Sequence, residues 1–251
     1  LKRNHYDIVV LNHDFSISLL SRKDITYEKV ILRSHNNEVV ILRDKIYFLK
    51  YLLKDSYLYN SDLFRLVDVH FTISKADYCN AILLYPPIIM SSEIIKNDVN
   101  GRIVFFGNMK WSENVINLKF LLVVADRLNS LVELFGRSNI IESNIILYHG
   151  FVEDLSTMVN PGDKLIIYSD EVYGFKMKII EGLKLGMDIY VIEHMHSSIP
   201  ADIVAYITFY KDREDLHKKL TSNTQLVCER ISINYLDKFK SNIDEITGLY
   251  I

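Results

Sequence analysis

The chain has 251 residues, 49% of them hydrophobic, and a formal net charge of −3. That length suits one large domain or two small ones, and the apolar share supports a core and excludes a disordered chain. A slightly acidic balance argues against a nucleic-acid binder, and no apolar run has the length of a membrane span or the pattern of a signal peptide. Cys79 and Cys228 are far apart, lack metal-ligand spacing, and read as free thiols of a cytoplasmic protein. A start at Leu1, with a strand pattern a few residues later, reads as an excised piece of a longer polypeptide.

In chain order, the first strand candidates are Asp7–Asn12, Lys29–Arg33, Val67–Ile73 and Ala81–Leu84, with a long helical pattern at Asn37–Leu66. Pro86-Pro87 and the polar stretch Ser91–Asn100 read as a linker. Arg102–Phe106 is continuous and apolar, as in a strand buried on both faces. A loop through Gly107 follows, then a helix from an N-cap at Ser112 to about Leu128. Leu131–Phe135, Ile145–Tyr148, Lys164–Tyr168, Asp188–Ile192 and Ala205–Phe209 continue the strand series, and helices at Arg213–Leu220 and Thr224–Ile246 close the chain. Strands alternating with helices predict an α/β protein of parallel βαβ units, with ligands beyond the carboxyl ends of the strands.

The segment Tyr168–Gly186 carries the most chemistry. It reads as a buried strand, a polar turn, and a helix that begins near Gly174 and closes at Gly186. Backbone N–H groups at a helix N-terminus attract anions. A helix starting at Gly174 puts Gly174, Lys178 and Glu181 on one face, spanning roughly 10 Å at about 1.5 Å per residue. That is the reach of a nucleotide diphosphate, with phosphates at the positive end and ribose hydroxyls on the carboxylate.

Gly174-Phe175-Lys176-Met177-Lys178-Ile179-Ile180-Glu181, closed by Gly186, resembles the G-x-K-x-K-x-x-E stretch of nucleotide-sugar glycosyltransferases of GT-B architecture. Tyr148-His149-Gly150-Phe151-Val152-Glu153-Asp154-Leu155 is similar to their h-G-x-V-x-D-L segment, and Gly107-Asn108-Met109-Lys110-Trp111-Ser112-Glu113-Asn114 to their G-x-M-x-W-x-x-N loop. Arg33-Ser34-His35-Asn36-Asn37-Glu38 and Ile73-Ser74-Lys75-Ala76-Asp77 resemble their R-x-H-N-x-E turn and I-S-x-x-D strand end. Together these cover roughly residues 30 to 195.

The resemblance implies two Rossmann-like β/α/β domains facing a cleft, a compact GT-B arrangement. They would comprise a short acceptor-side domain at 1–90, a nucleotide-sugar domain at 101–222, and a C-terminal helix at 223–251 that packs across both. It implies transfer of a sugar from a nucleotide diphosphate sugar, a UDP-sugar first, to a hydroxyl of a glycan acceptor, with no cofactor and no metal. Phe151 and Val152 would then contact the base, the N–H groups of Tyr173, Gly174 and Phe175 would meet the diphosphate with Lys178 as cationic partner, and Glu181 would take the ribose. Tyr173 stands where many members carry a sugar-contacting Glu, and the usual cationic clamp is represented only by the candidates Lys110 and Arg137.

Read from the residues themselves, His13 and Asp14 follow the first strand, where an imidazole or carboxylate can deprotonate an acceptor hydroxyl; Asp14 is the better single base. In similar enzymes the turn bearing His35 lies close to the donor sugar, which makes His35 a further candidate. Gly107 lets backbone approach a ligand, but its loop lacks the later glycines of a dinucleotide fingerprint. His194 and His196 lack the context of a metal pair. A GT-B-type epimerase and a catalytically silent nucleotide- or glycan-binding module remain as alternatives.

Overall fold

The computed structural model describes residues 4–12, 14–34, 65–72, 81–84, 87–98, 100–137, 143–170, 172, 176–222 and 225–247. These fall into two units, one within Leu1–Ile88 and Asn234–Ile251, the other within Ile89–Val172 and Lys176–Ile233.

The first unit holds a parallel sheet of four strands in sequential order: β1 (Asn4–Asn12), β2 (Ile25–Ser34), β3 (Val69–Thr72) and β4 (Ile82–Leu83). A 3-10 helix, Asp14–Ser21, follows β1 and packs Ile17 and Leu20 against Leu11, Val30 and Leu32. A second cluster gathers Ile31, Phe71 and Leu84, with Phe239 of the C-terminal helix Tyr235–Thr247 packed against it.

The second unit is built on six parallel strands: β6 (Ile103–Phe106), β7 (Val132–Phe135), β8 (Ile146–Gly150), β9 (Lys164–Ile167), β10 (Asp188–Ile192) and β11 (Ile207–Tyr210). Their spatial order is β11-β10-β9-β6-β7-β8, all pairs parallel. The middle strands β6, β9 and β10 are buried at every position, as strands covered on both faces must be. Helix α1 (Ser112–Arg127) buries Leu118, Phe120, Leu121, Val124 and Ala125 at helical spacing. Its buried Asn117 accepts from the Tyr168 N–H at 2.9 Å and donates to the Ile166 carbonyl at 3.1 Å, fastening the end of β9. Helix α2 (Met177–Lys184) lies between β9 and β10 in the chain, and α3 (Arg213–Thr221) follows β11.

Four expectations need correction. The polar stretch read as a linker from Ser91 is largely strand β5 (Ile89–Lys96), paired with β12 (Val227–Asn234) in a separate two-stranded sheet. The last helix, expected over Thr224–Ile246 and as the whole of 223–251, is therefore a strand followed by a shorter helix. The reason is a period of two: Met90 and Ile94 are buried on β5, Ile231 and Ile233 on β12, with exposed or half-exposed residues between them. The helix expected from Gly174 begins at Met177, after an extended Lys176, because the apolar stripe that packs on the sheet (Ile179, Ile180, Leu183) starts only there. At the other end of α2, Gly186 has φ +72°, and a Cβ there would come within 2.6 Å of the Glu93 carbonyl.

Helix α1 also starts one residue away from expectation, with Trp111 at the N-cap and Ser112 as its first residue.

Candidate functional site

In the second unit the chain reverses direction of growth at β6: β7 and β8 lie to one side, β9 to β11 to the other. This switch point, at the carboxyl ends of β6 and β9, is where open parallel sheets form a ligand crevice. Gly107 closes β6 and α2 begins after β9, so both reach it.

The β6 side is shaped by glycines. The Gly107 N–H donates to the Phe135 carbonyl at 2.9 Å, and the Gly136 N–H donates to the Gly150 carbonyl at 2.7 Å. A Cβ on Gly136, whose φ is +127°, would sit 2.0 Å from the Gly107 carbonyl oxygen. The loops after β6 and β7 therefore run in direct backbone contact, and the Met109 N–H adds a bond of 2.8 Å to the Arg137 carbonyl. Over them lies a pocket of about 320 Å³ lined by Gly107, Asn108, Phe135, Arg137, Phe151 and Val152, among others. Phe151 is 63% exposed, and the Arg137 guanidinium stands 5.4 Å from its ring centroid. An exposed aromatic ring beside a cation forms a stacking platform for a flat, electron-rich group.

Lys178 occupies the other side of Gly107. Its Nζ donates to Asn114 Oδ1 at 2.6 Å and lies 4.0 Å from the Phe105 ring centroid. A Cβ on Gly107 would meet this Nζ at 3.0 Å and Asn114 Nδ2 at 2.9 Å, so the absent side chain makes room for both. Loss of water around the amine, with the Lys176 charge adding to it, lowers the Lys178 pKa to about 7. Lys178, expected as a cationic partner of the diphosphate, is a partly buried amine in the first turn of α2. Glu181, three residues on, is half-exposed, with Lys184 Nζ 3.5 Å from its carboxylate.

Of the residues singled out from sequence, Gly107, Phe151 and Val152 meet in one pocket, with Lys178 adjoining through Gly107. Glu181 shares α2 with Lys178. His13, His35, Tyr173, Gly174 and Phe175 lie outside the described residues. Asp14 opens the 3-10 helix after β1 in the other unit. Lys110 is exposed on the loop after Gly107. Gly136 and Asn114 were not singled out; a glycine directly after a strand signals the first, whereas the second stood in the W-x-x-N motif without a role. His194 is engaged structurally, its Nε2 lying 2.8 Å from the Ser169 carbonyl. Among the described residues, His5, Asp7 and Glu28 have metal-ligand spacing, but all three are exposed on β1 and β2 of the other unit.

All-parallel strands in this order define the second unit as a doubly wound, Rossmann-type α/β fold. Solved structures of Anabaena Alr3699/HepE are similar to the chain in fold. The complex with UDP and glucose has a TM-score of 0.57 at 13% identity, over 97% of this chain and 78% of that one. The complexes with UDP-glucose and with UDP each give 0.53 at 13% identity, over 85% and 68%. No protein-family model matches the chain, and no curated protein matches it in sequence. No helix among the described residues is long and apolar enough to cross a membrane.

Proposed function

We propose that this chain is a glycosyltransferase of GT-B architecture, moving a sugar from a nucleoside diphosphate sugar, a UDP-sugar in the first instance, to a hydroxyl of a glycan acceptor. The observation that carries this is the meeting, at the switch point of one sheet, of an aromatic pocket and a lysine amine at a helix N-terminus, on opposite sides of Gly107. The likeness in fold to a protein solved with UDP and with UDP-glucose supports the same ligand class. The base lies against Phe151 and Val152 beside Arg137, and the ribose hydroxyls donate to Glu181. The diphosphate faces Lys178 and the N-terminus of α2, whose dipole stabilises the charge that develops as the leaving group departs. Asp14, with His13 or His35, supplies the base that deprotonates the acceptor hydroxyl. Lysine and helix dipole together hold the leaving diphosphate without a metal.

The test is release of UDP from a panel of nucleotide sugars, with and without glycan acceptors. Acceptor-dependent release supports transfer. Tight UDP binding with no turnover on any acceptor would replace transfer by a silent binding module, and loss of all nucleotide binding would remove both.

A further inference from the structure

One side chain spans the two halves of the proposed nucleotide site without lining the pocket. Asn114, in the first turn of α1, accepts from Lys178 Nζ through Oδ1 at 2.6 Å and donates from Nδ2 to the Asn108 carbonyl at 2.8 Å. Asn108 and Gly107 are walls of the pocket that holds Phe151 and Val152, whereas Asn114 and Lys178 are not. The Asn108 carbonyl also accepts the Trp111 N–H at 3.2 Å, so the start of α1 and the pocket wall are tied at one oxygen.

We propose that Asn114 is a positioning residue that couples the phosphate end of the site to its base pocket, one amide holding the Lys178 amine and the loop wall at Asn108 together. This rests on the nucleotide reading above. An amide suits the task because it offers an acceptor and a donor from one planar group. A carboxylate would keep the acceptor and lose the donor. Among the described residues, the charged group that acts on the lysine is Lys176 beside it, while Glu181, a turn along α2, pairs with Lys184.

The experiment measures uridine and UDP affinity by calorimetry for the wild type, Asn114→Asp and Lys178→Met. Uridine has no phosphate, so it reports the base pocket and the ribose contact without the phosphate end. The coupling requires uridine to bind Asn114→Asp fivefold or more weakly, although residue 114 does not line the pocket. Lys178→Met should weaken uridine about threefold for the same reason. A carboxylate at 114 should also keep Lys178 charged, flattening the fall in UDP affinity between pH 7 and 9. A purely structural role in α1 would lower the melting temperature while leaving uridine affinity within twofold and the pH profile unaltered. That result in both variants overturns the proposal while UDP binding by the wild type stands. A wild type that binds neither ligand overturns the nucleotide reading together with it.

Discussion

Lys178 Nζ sits 2.6 Å from Asn114 Oδ1, an uncharged acceptor, and among the described residues no carboxylate pairs with it. A lysine held by an amide and a ring face loses hydration and gains no countercharge, which is why its pKa falls to about 7 from the ordinary 10.5. Such a group is kept at a cost in stability, which an anion bound beside it would relieve.

The stability consequence has a definite sign. Between about 7 and 10.5 the unfolded chain holds a proton on Lys178 that the folded chain has released. Stability therefore rises with pH across that window, and the penalty is fully present below it. Lys178→Met should raise stability by on the order of 2 kcal/mol at pH 6, and by much less at pH 10. Denaturant melts of both proteins at the two pH values check this.

Ligand binding should show the opposite linkage. A diphosphate favours the ammonium form, so above pH 7 binding must take up a proton. UDP affinity should fall by about tenfold or more from pH 7.5 to 9, a range above the second phosphate ionisation near 6. Lys178→Arg, always charged, should bind UDP with little change across that range. Titrations in buffers of different ionisation enthalpy would count the proton directly.

The glycine pair gives a contrast within one loop contact. At Gly136 a Cβ would strike the Gly107 carbonyl at 2.0 Å, and backbone cannot step aside. At Gly107 it would meet two side-chain ends at 2.9 and 3.0 Å, which can move. Gly136→Ala should cost about 3 kcal/mol and Gly107→Ala about 1–2 kcal/mol. Gly107→Ala should nonetheless lose more UDP affinity per unit of lost stability, because it displaces Lys178. Melting curves and UDP titrations on both variants decide it.

Arg102 joins strands at the opposite end of the same sheet. It donates to Glu133 at 2.8 Å, to the buried Asp163 at 2.5 and 3.1 Å, and to the Met158 carbonyl at 2.8 Å. The Asp163 carboxylate raises the guanidinium pKa further. Arg102→Met takes the guanidinium from both acids, leaving Glu133 with His149 and Asp163 with backbone N–H groups, and should cost about 2–3 kcal/mol. Arg102→Lys should recover only part of it, lacking the fork. Equilibrium unfolding of the two variants is the measurement.

Glu181 gives a check on the ribose end. Its carboxylate is half-exposed and, among the described residues, pairs with Lys184 alone at 3.5 Å, so Glu181→Ala should leave melting within a degree or two. UDP affinity should fall about tenfold, the scale of a lost hydrogen bond to a charged group. Unchanged affinity would free Glu181 of that role.

The strands of the second unit were legible because β6, β9 and β10 are short, largely apolar runs bounded by turn residues, the pattern of strands covered on both faces. β5 was not: Ser91, Ser92 and Glu93 hide an alternation that matters only once β12 pairs with it. The same dependence on a distant partner disguised 227–234 as helix. At the site, Gly107 could be nominated from local pattern, and Phe151 and Val152 from the resemblance that their segment carries. The burial of Lys178 could not, since it comes from Phe105 and Asn114, more than sixty residues earlier in the chain.

The most direct test of the nucleotide site is a crystal structure of the chain with UDP. The expected result puts uracil against Phe151 and Val152 beside Arg137, the ribose hydroxyls on Glu181, and a phosphate oxygen within hydrogen-bond distance of Lys178 Nζ. UDP bound away from the Gly107 loop, or seated there with its phosphates turned from Lys178, would contradict it.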